Sequence, residues 1–264
     1  MSDSIPRKWV DGPFELLSSE LSGTSKNKQA KGTQQVAAEM TIVHNCVIRG
    51  INAIYLQAAK VAAAGTPEDK LDFVNFALRW ARMLDEHHRS EEEEIFPQIN
   101  KLAGVSGLMD ANVDEHTMFH DGLSDFMTYL GSIIREEDVL DAEKLNGLID
   151  SFMPALREHL RNEVLTLKAL DKYEDTTDWM AWFKKTADGL VMRQMKSPVF
   201  RVESFPLVFV LHDKSFEGGV WENFPPVPWV MSIIFRWMFF SKHQRWWRFA
   251  GCNFDSLPQE LLFA

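Results

Sequence analysis

Six of the eight histidines fall in four segments whose apolar residues recur at helical spacing, and most have a second ligand-type side chain four residues away. Residues four apart on an α-helix share a face, one turn above the other. His88/Glu92, His116/His120 and His159/Glu163 are such pairs, and His44 lies on the first segment. Four faces converging at one level would bring imidazoles and carboxylates to a common centre. Imidazole suits borderline ions such as iron and zinc, and a carboxylate can bridge two ions. His87/Glu91 has the same spacing as His88/Glu92. Ile95 and Phe96 follow Glu92 at +3 and +4, and His88 continues the apolar face through Leu84. This favours His88 and Glu92, with His87 and Glu91 as solvated or supporting alternatives.

The segments themselves are well marked. The first runs from about Gln34 to Ala64 and stops at Gly65. Thr66-Pro67-Glu68-Asp69 opens the second: a capping hydroxyl, proline at the first helical position, then acids in the first turn. It continues to about Gln98. A third spans Ala111 to Arg135, and a fourth Asp141 to Leu170. Short connections between long helices predict an all-α, up-down-up-down four-helix bundle over 34–170. Residues 1–33 read as a flexible arm. Past 170, Thr177-Asp178 could cap an additional helix to about Met195. The remainder of 171–264 is rich in phenylalanine, tryptophan and proline and reads as an extension wrapped on the bundle.

Net charge is −10, which argues against nucleic acid as a partner. Two distant cysteines, Cys46 and Cys252, are too few for a disulfide framework and fit a reducing, cytoplasmic setting. Cys46, two residues after His44, points away from the ligand face and reads as structural. No secretory signal is evident at the start. The longest apolar run, Val227 to Phe240, is shorter than the roughly 20 residues needed to span a bilayer.

Spacing adds a repeat. His88 to His159 and Glu92 to Glu163 are both 71 residues, and His44 to His116 is 72. Two helical hairpins of similar design, each with comparable ligand positions, would make a two-metal site of approximate two-fold symmetry. A lone helical histidine is usually a surface or satisfied core residue. Buried together without a cation, seven such groups would each cost about 1–3 kcal/mol.

Together His44, HHRSEEEEIFP (87–97), HTMFH (116–120) and HLRNE (159–163) resemble the hemerythrin-like, HHE cation-binding domain. The resemblance implies a non-haem diiron centre of five histidines and two bridging carboxylates. It implies that His116, His120 and His159 hold one iron, that His44 and His88 hold the other, and that Glu92 and Glu163 bridge. In oxygen-carrying relatives the two-histidine iron keeps a position open for O2. Those carriers usually place Asp five residues after the last histidine; here Glu163 comes four after His159. The stretch WRFAGCNFDSLPQELLF (247–263) is similar to extensions on fungal hemerythrin-like proteins.

Three functions compete. The centre could bind O2 or sense oxygen, peroxide or iron, which a set rich in neutral imidazoles favours. It could be an oxidase or oxygenase for a small aromatic or apolar substrate held under the extension. It could store iron. Leu156, one turn before His159, could line an O2 pocket or be plain core. The basic-aromatic stretch 235–249 reads first as packing on the protein's own core; weak membrane-surface contact through 229–249 is the alternative. His212 and His243 read as structural or surface residues.

Overall fold

The computed structural model describes residues 9–20, 31–226 and 229–264. Among these, helix dominates and no strand forms. Four long helical segments make the bundle: α1 (Gly32–Ala64), α2 (Pro67–Ser90) continued by α3 (Phe96–Ala103), α4 (Asp110–Ile134) and α5 (Ala142–Lys168). α1 packs on α2 and α5, and α4 packs on α2 and α5, which closes the ring. α6 (Trp179–Gln194) and α7 (Phe205–Leu211) follow, both packed on α1.

The ends of the helices obey local chemistry. The Thr66 hydroxyl accepts from the Asp69 N–H at 3.1 Å, and the Asp69 carboxylate accepts from the Thr66 N–H at 3.0 Å, a reciprocal cap. Asp141 and Asp178 cap α5 and α6 through Lys144 N–H and Ala181 N–H. Gly104, at φ +68°, ends α3 in the left-handed region that glycine adopts freely. Between α2 and α3 the chain makes one π turn, Glu91–Ile95, in which the Phe96 N–H donates to the Glu91 carbonyl five residues back.

α1 is buried on nearly every side, and its buried polar residues hold what wraps it. Asn45 exchanges two hydrogen bonds with the Leu17 backbone, at 2.8 and 2.9 Å. Asn52 donates to the Val10 and Phe14 carbonyls at 2.7 and 2.8 Å, and Gln57 donates to the Phe249 carbonyl at 2.8 Å. The arm expected over 1–33 is therefore corrected for 9–20, which form a packed strap with Val10 and Leu17 in the core. Backbone groups buried on α1 must find partners, and the asparagines supply them. The rest of that arm before α1 lies outside the described residues, apart from Lys31, which is bonded to Asp171.

The extension packs on the bundle, as the aromatic content suggested. Phe235, Trp247 and Phe249 are buried, and Arg245 and Arg248 pair with Asp72 and Asp69 at 2.6 and 2.5 Å. Phe249 stacks edge-on against Phe73. Phe73 is 15 residues before His88, about 22 Å along a helix axis, so this part cannot wall a site at the histidines. Ile233, Trp237 and Met238 remain exposed. No helix among the described residues is long and apolar enough to cross a membrane.

Gly50 sits where α1 meets α2, and a Cβ there would collide with the Trp80 indole, which donates to the Val47 carbonyl at 2.8 Å. Gly50→Ala is expected to destabilise the chain by about 1–3 kcal/mol through overpacking. A lowered midpoint in thermal or urea unfolding checks this.

Candidate metal centre

Two apolar clusters fill the bundle, and a polar layer lies between them. The larger cluster includes Leu84, Phe119, Leu123, Leu156 and Leu160. The smaller includes Val36, Met40, Ile95, Ile99 and Trp179, with α6 closing that end. Between them stand His44, His88, Glu91, His116, His159 and Glu163, all buried, and His87, whose side chain is 15% exposed. They form two groups whose ligand atoms lie within 4.8 Å of one another. One group is His88, His116, His159 and Glu91; the other is His44, His87, Glu91 and Glu163. Glu91 belongs to both.

Five of the seven residues expected at the centre are thus brought together: His44, His88, His116, His159 and Glu163. Two are not. His120 projects outward, its side chain 71% exposed, with Nδ1 3.4 Å from Asp121. The inward stripe of α4 runs through His116, Phe119, Leu123 and Phe126, and His120 falls off it. Glu92 is also corrected. Its carboxylate is 43% exposed and accepts from His116 Nδ1 at 2.5 Å, so it supports a cluster residue from outside. Glu91 takes the inward place because the stripe steps from Leu84 to His88, then to Glu91 and Ile95. The π turn widens the helix just there, a distortion found often at functional sites. His87, four residues before Glu91, joins with Nε2 3.0 Å from Glu91 Oε1. Leu156 is fully buried in the larger cluster.

Three imidazoles have their orientation fixed from behind. His44 Nδ1 donates to the Leu160 carbonyl at 3.0 Å, which fixes the proton on Nδ1 because a carbonyl only accepts. His159 Nδ1 donates to Glu115 at 3.1 Å, and Asn162 in turn donates to Glu115 at 2.8 Å. His116 Nδ1 is served by Glu92. Each ring therefore turns a bare Nε2 lone pair inward. His116 Nε2 and His159 Nε2 stand 3.1 Å apart, and His44 Nε2 is 3.1 Å from Glu163 Oε2. Facing lone pairs repel unless a cation lies among them. In addition, the Nε2 atoms of His44, His87 and His88 and all four carboxylate oxygens of Glu91 and Glu163 are buried without a hydrogen-bond partner. This donor set fits metal ions: neutral imidazoles with oxygen behind them, and a carboxylate, Glu91, shared between two positions.

Electrostatics agree. Burial holds His88 well below the ordinary imidazole range and lowers His159 to about 3; burial also lowers His87 and His116. Neutral imidazole is the form that ligates. Burial and the neighbouring Glu163 charge push Glu91 well above the usual carboxylate range. Burial acts on Glu163 in the same direction, and charge on His44, His159 and His87 opposes it only where those rings are protonated. Two like charges buried together disfavour double ionisation, so cations and protons compete for the same oxygens.

Two outcomes follow from this placement. His87→Ala and Glu91→Ala are expected to lower metal content per chain by at least one ion, whereas His120→Ala retains the wild-type content; metal analysis after saturation and desalting decides. The metal-free chain should also lose stability on acidification. His159, with its folded value about 3 against an unfolded value near 6.5, alone removes about 2 kcal/mol by pH 5. Glu91, raised on folding, works in the opposite sense, because its contribution is lost as pH rises. Four lowered imidazoles outnumber it, so the denaturation midpoint with chelator present should be lower at pH 5 than at pH 7.

Comparison with known proteins places this geometry. The family model for the hemerythrin HHE cation binding domain matches residues 32–170, the four-helix body with its whole ligand cluster. The chain is also 31% identical over 260 residues to the dimeric xanthone biosynthesis cluster protein R11 of Cryptosporiopsis sp. (strain 8999). That likeness covers 98% of this chain and 94% of the relative, so it includes the strap and the extension. No solved structure matches the chain. With a family model over more than half its length, the chain belongs to the hemerythrin HHE cation-binding domain family.

Proposed function

We propose that the chain is a non-haem diiron protein that binds O2 or responds to it. One observation carries this reading: two adjoining groups of buried imidazole nitrogens and carboxylate oxygens share Glu91, and most of those atoms have no hydrogen-bond partner. His88, His116 and His159 would hold one ion with Glu91, and His44 and His87 the other, with Glu91 and Glu163 between them. Iron suits a mixed imidazole and carboxylate set. A pair of irons, when bound, supplies reversible electron exchange with O2. The chain's own part is to present neutral imidazoles and carboxylate oxygens, and to keep water out with the two apolar clusters.

A second reading has its own support. The full-length relative is named for a cluster that makes a dimeric xanthone, an aromatic polycycle. An O2-dependent oxidase acting on a small aromatic compound fits that likeness. Phe249 and its neighbours lie too far along the bundle to form its substrate wall, so the residues nearer His44 would have to serve. Phe216, Trp221 and Phe224 pack against Ala38 and Ile42 on α1, two to six residues before His44.

Anaerobic reduction of the iron-loaded protein followed by admission of air separates the readings. Visible absorption that appears with air and disappears under vacuum supports O2 binding. Irreversible change, with product formed from an added phenolic polycycle, supports the oxidase. Fewer than two irons per chain at saturation rules out both.

A further inference from the structure

The two halves of the centre are supported differently. On the His88/His116/His159 side, two of three imidazoles hand their Nδ1–H to carboxylates: His116 to Glu92 at 2.5 Å and His159 to Glu115 at 3.1 Å. On the His44/His87 side, His44 gives its Nδ1–H to a neutral main-chain carbonyl, Leu160, at 3.0 Å. His88, whose ring centroid lies 4.3 Å from that of His116 and 5.2 Å from that of His159, adds a third imidazole to the first side only. A carboxylate behind an imidazole pulls on its N–H proton and makes the opposite nitrogen a stronger donor. It also places negative charge one ring away from the metal position. Glu115 is itself oriented by Asn162 Nδ2 at 2.8 Å, so its place is built rather than incidental.

We propose that Glu92 and Glu115 are positioning residues that make the two metal positions electronically unequal, favouring the more oxidised ion on the His88/His116/His159 side. The inference rests on the two-iron reading above. Its chemical consequence is a fixed polarity in the pair: one position is tuned to hold positive charge, and the other, with fewer imidazoles and a neutral backing, is left as the weaker-donor partner. Both carboxylates reach the centre only through a histidine, so neither needs to touch the metal or its ligands' partners. Glu92 is the more exposed of the two carboxylates, at 43% against 22% for Glu115.

The test uses the full chain loaded with iron, wild type beside Glu92→Gln, Glu115→Gln and Glu158→Gln. Glutamine keeps size and an accepting oxygen while removing the charge. Glu158 is exposed and paired with Arg161, and it serves as the control. Mediated redox titration, with Mössbauer spectra to count ferric and ferrous iron, reads each one-electron step. Wild type should show two unequal steps. Each of the first two variants should shift one step toward ferrous by about tenfold, or roughly 59 mV for a one-electron couple. Glu158→Gln should shift neither, and Glu92→Asp and Glu115→Asp should restore most of the wild-type value. Shifts under twofold in both glutamine variants overturn the proposal, as does an equal shift in Glu158→Gln. Folded variants that no longer hold two irons at saturation also overturn it, because these carboxylates would then be ligands. The two lie on different segments, so either variant decides alone if the other does not fold. Wild-type protein with fewer than two irons would instead overturn the function reading itself.

Discussion

Imidazole nitrogens and carboxylate oxygens held in a dry layer, with no protein hydrogen left to satisfy them, set the terms for everything around them. A buried unsatisfied polar group costs about 1–3 kcal/mol, and here several stand together. The chain has not avoided that cost by burying apolar side chains in their place. It has sealed the layer with Leu84, Phe119 and Leu160 on one side and Ile95, Ile99 and Met40 on the other. It has also locked three rings from behind with oxygen acceptors. Such an arrangement is stable as a folded state only with positive charge in the layer, as protons or as metal ions.

Much of the fold could be read from the sequence because the signals were local. Thr66-Pro67 with Asp69 fixes a helix start wherever the chain goes, and the capping bonds formed as the residue types require. The site was legible in kind, five imidazoles with two carboxylates on four segments, but not in every member. Equal i,i+4 spacing in His87/Glu91 and His88/Glu92 left a choice that pairwise counting could not settle. The longer stripe could have settled it: Leu84, His88, Glu91, Ile95 and Ile99 follow in steps of four, three, four and four, and all are buried. On α4 the same rule picks His116 and passes over His120, since Phe119, Leu123, Phe126 and Leu130 continue from His116. The strap at 9–20 was missed for another reason. Its order comes from Asn45 and Asn52 on a distant helix, and a short segment that forms no helix of its own gives no periodic trace of that.

The repeat in the sequence also gains a sharper form. His44 and His116, His87 and His159, and Glu91 and Glu163 are each 72 residues apart. A single offset thus relates two sets of His, His and Glu, one from each hairpin, and it selects Glu91 over Glu92. Two like hairpins facing each other would build two like metal positions. His88 has no counterpart in this scheme, and it falls on the side of His116 and His159. The departure from symmetry therefore begins with one inserted imidazole beside its own neighbour, His87.

The helix is distorted just past that extra imidazole. His87 and His88 are adjacent, so their side chains leave an α-helix about 100° apart and cannot both lie on one narrow stripe. The two ligand groups turn this into an advantage, because they lie to either side of Glu91 and share it. The π turn beginning at Glu91 then restores the apolar face, so that Ile95, Phe96 and Ile99 all reach the smaller cluster. The stripe from Leu84 through His88, Glu91, Ile95 and Ile99 keeps helical steps, and the π turn falls on it where the two ligand groups meet at Glu91. The broken repeat and the unequal ligand count both come from placing two histidines side by side.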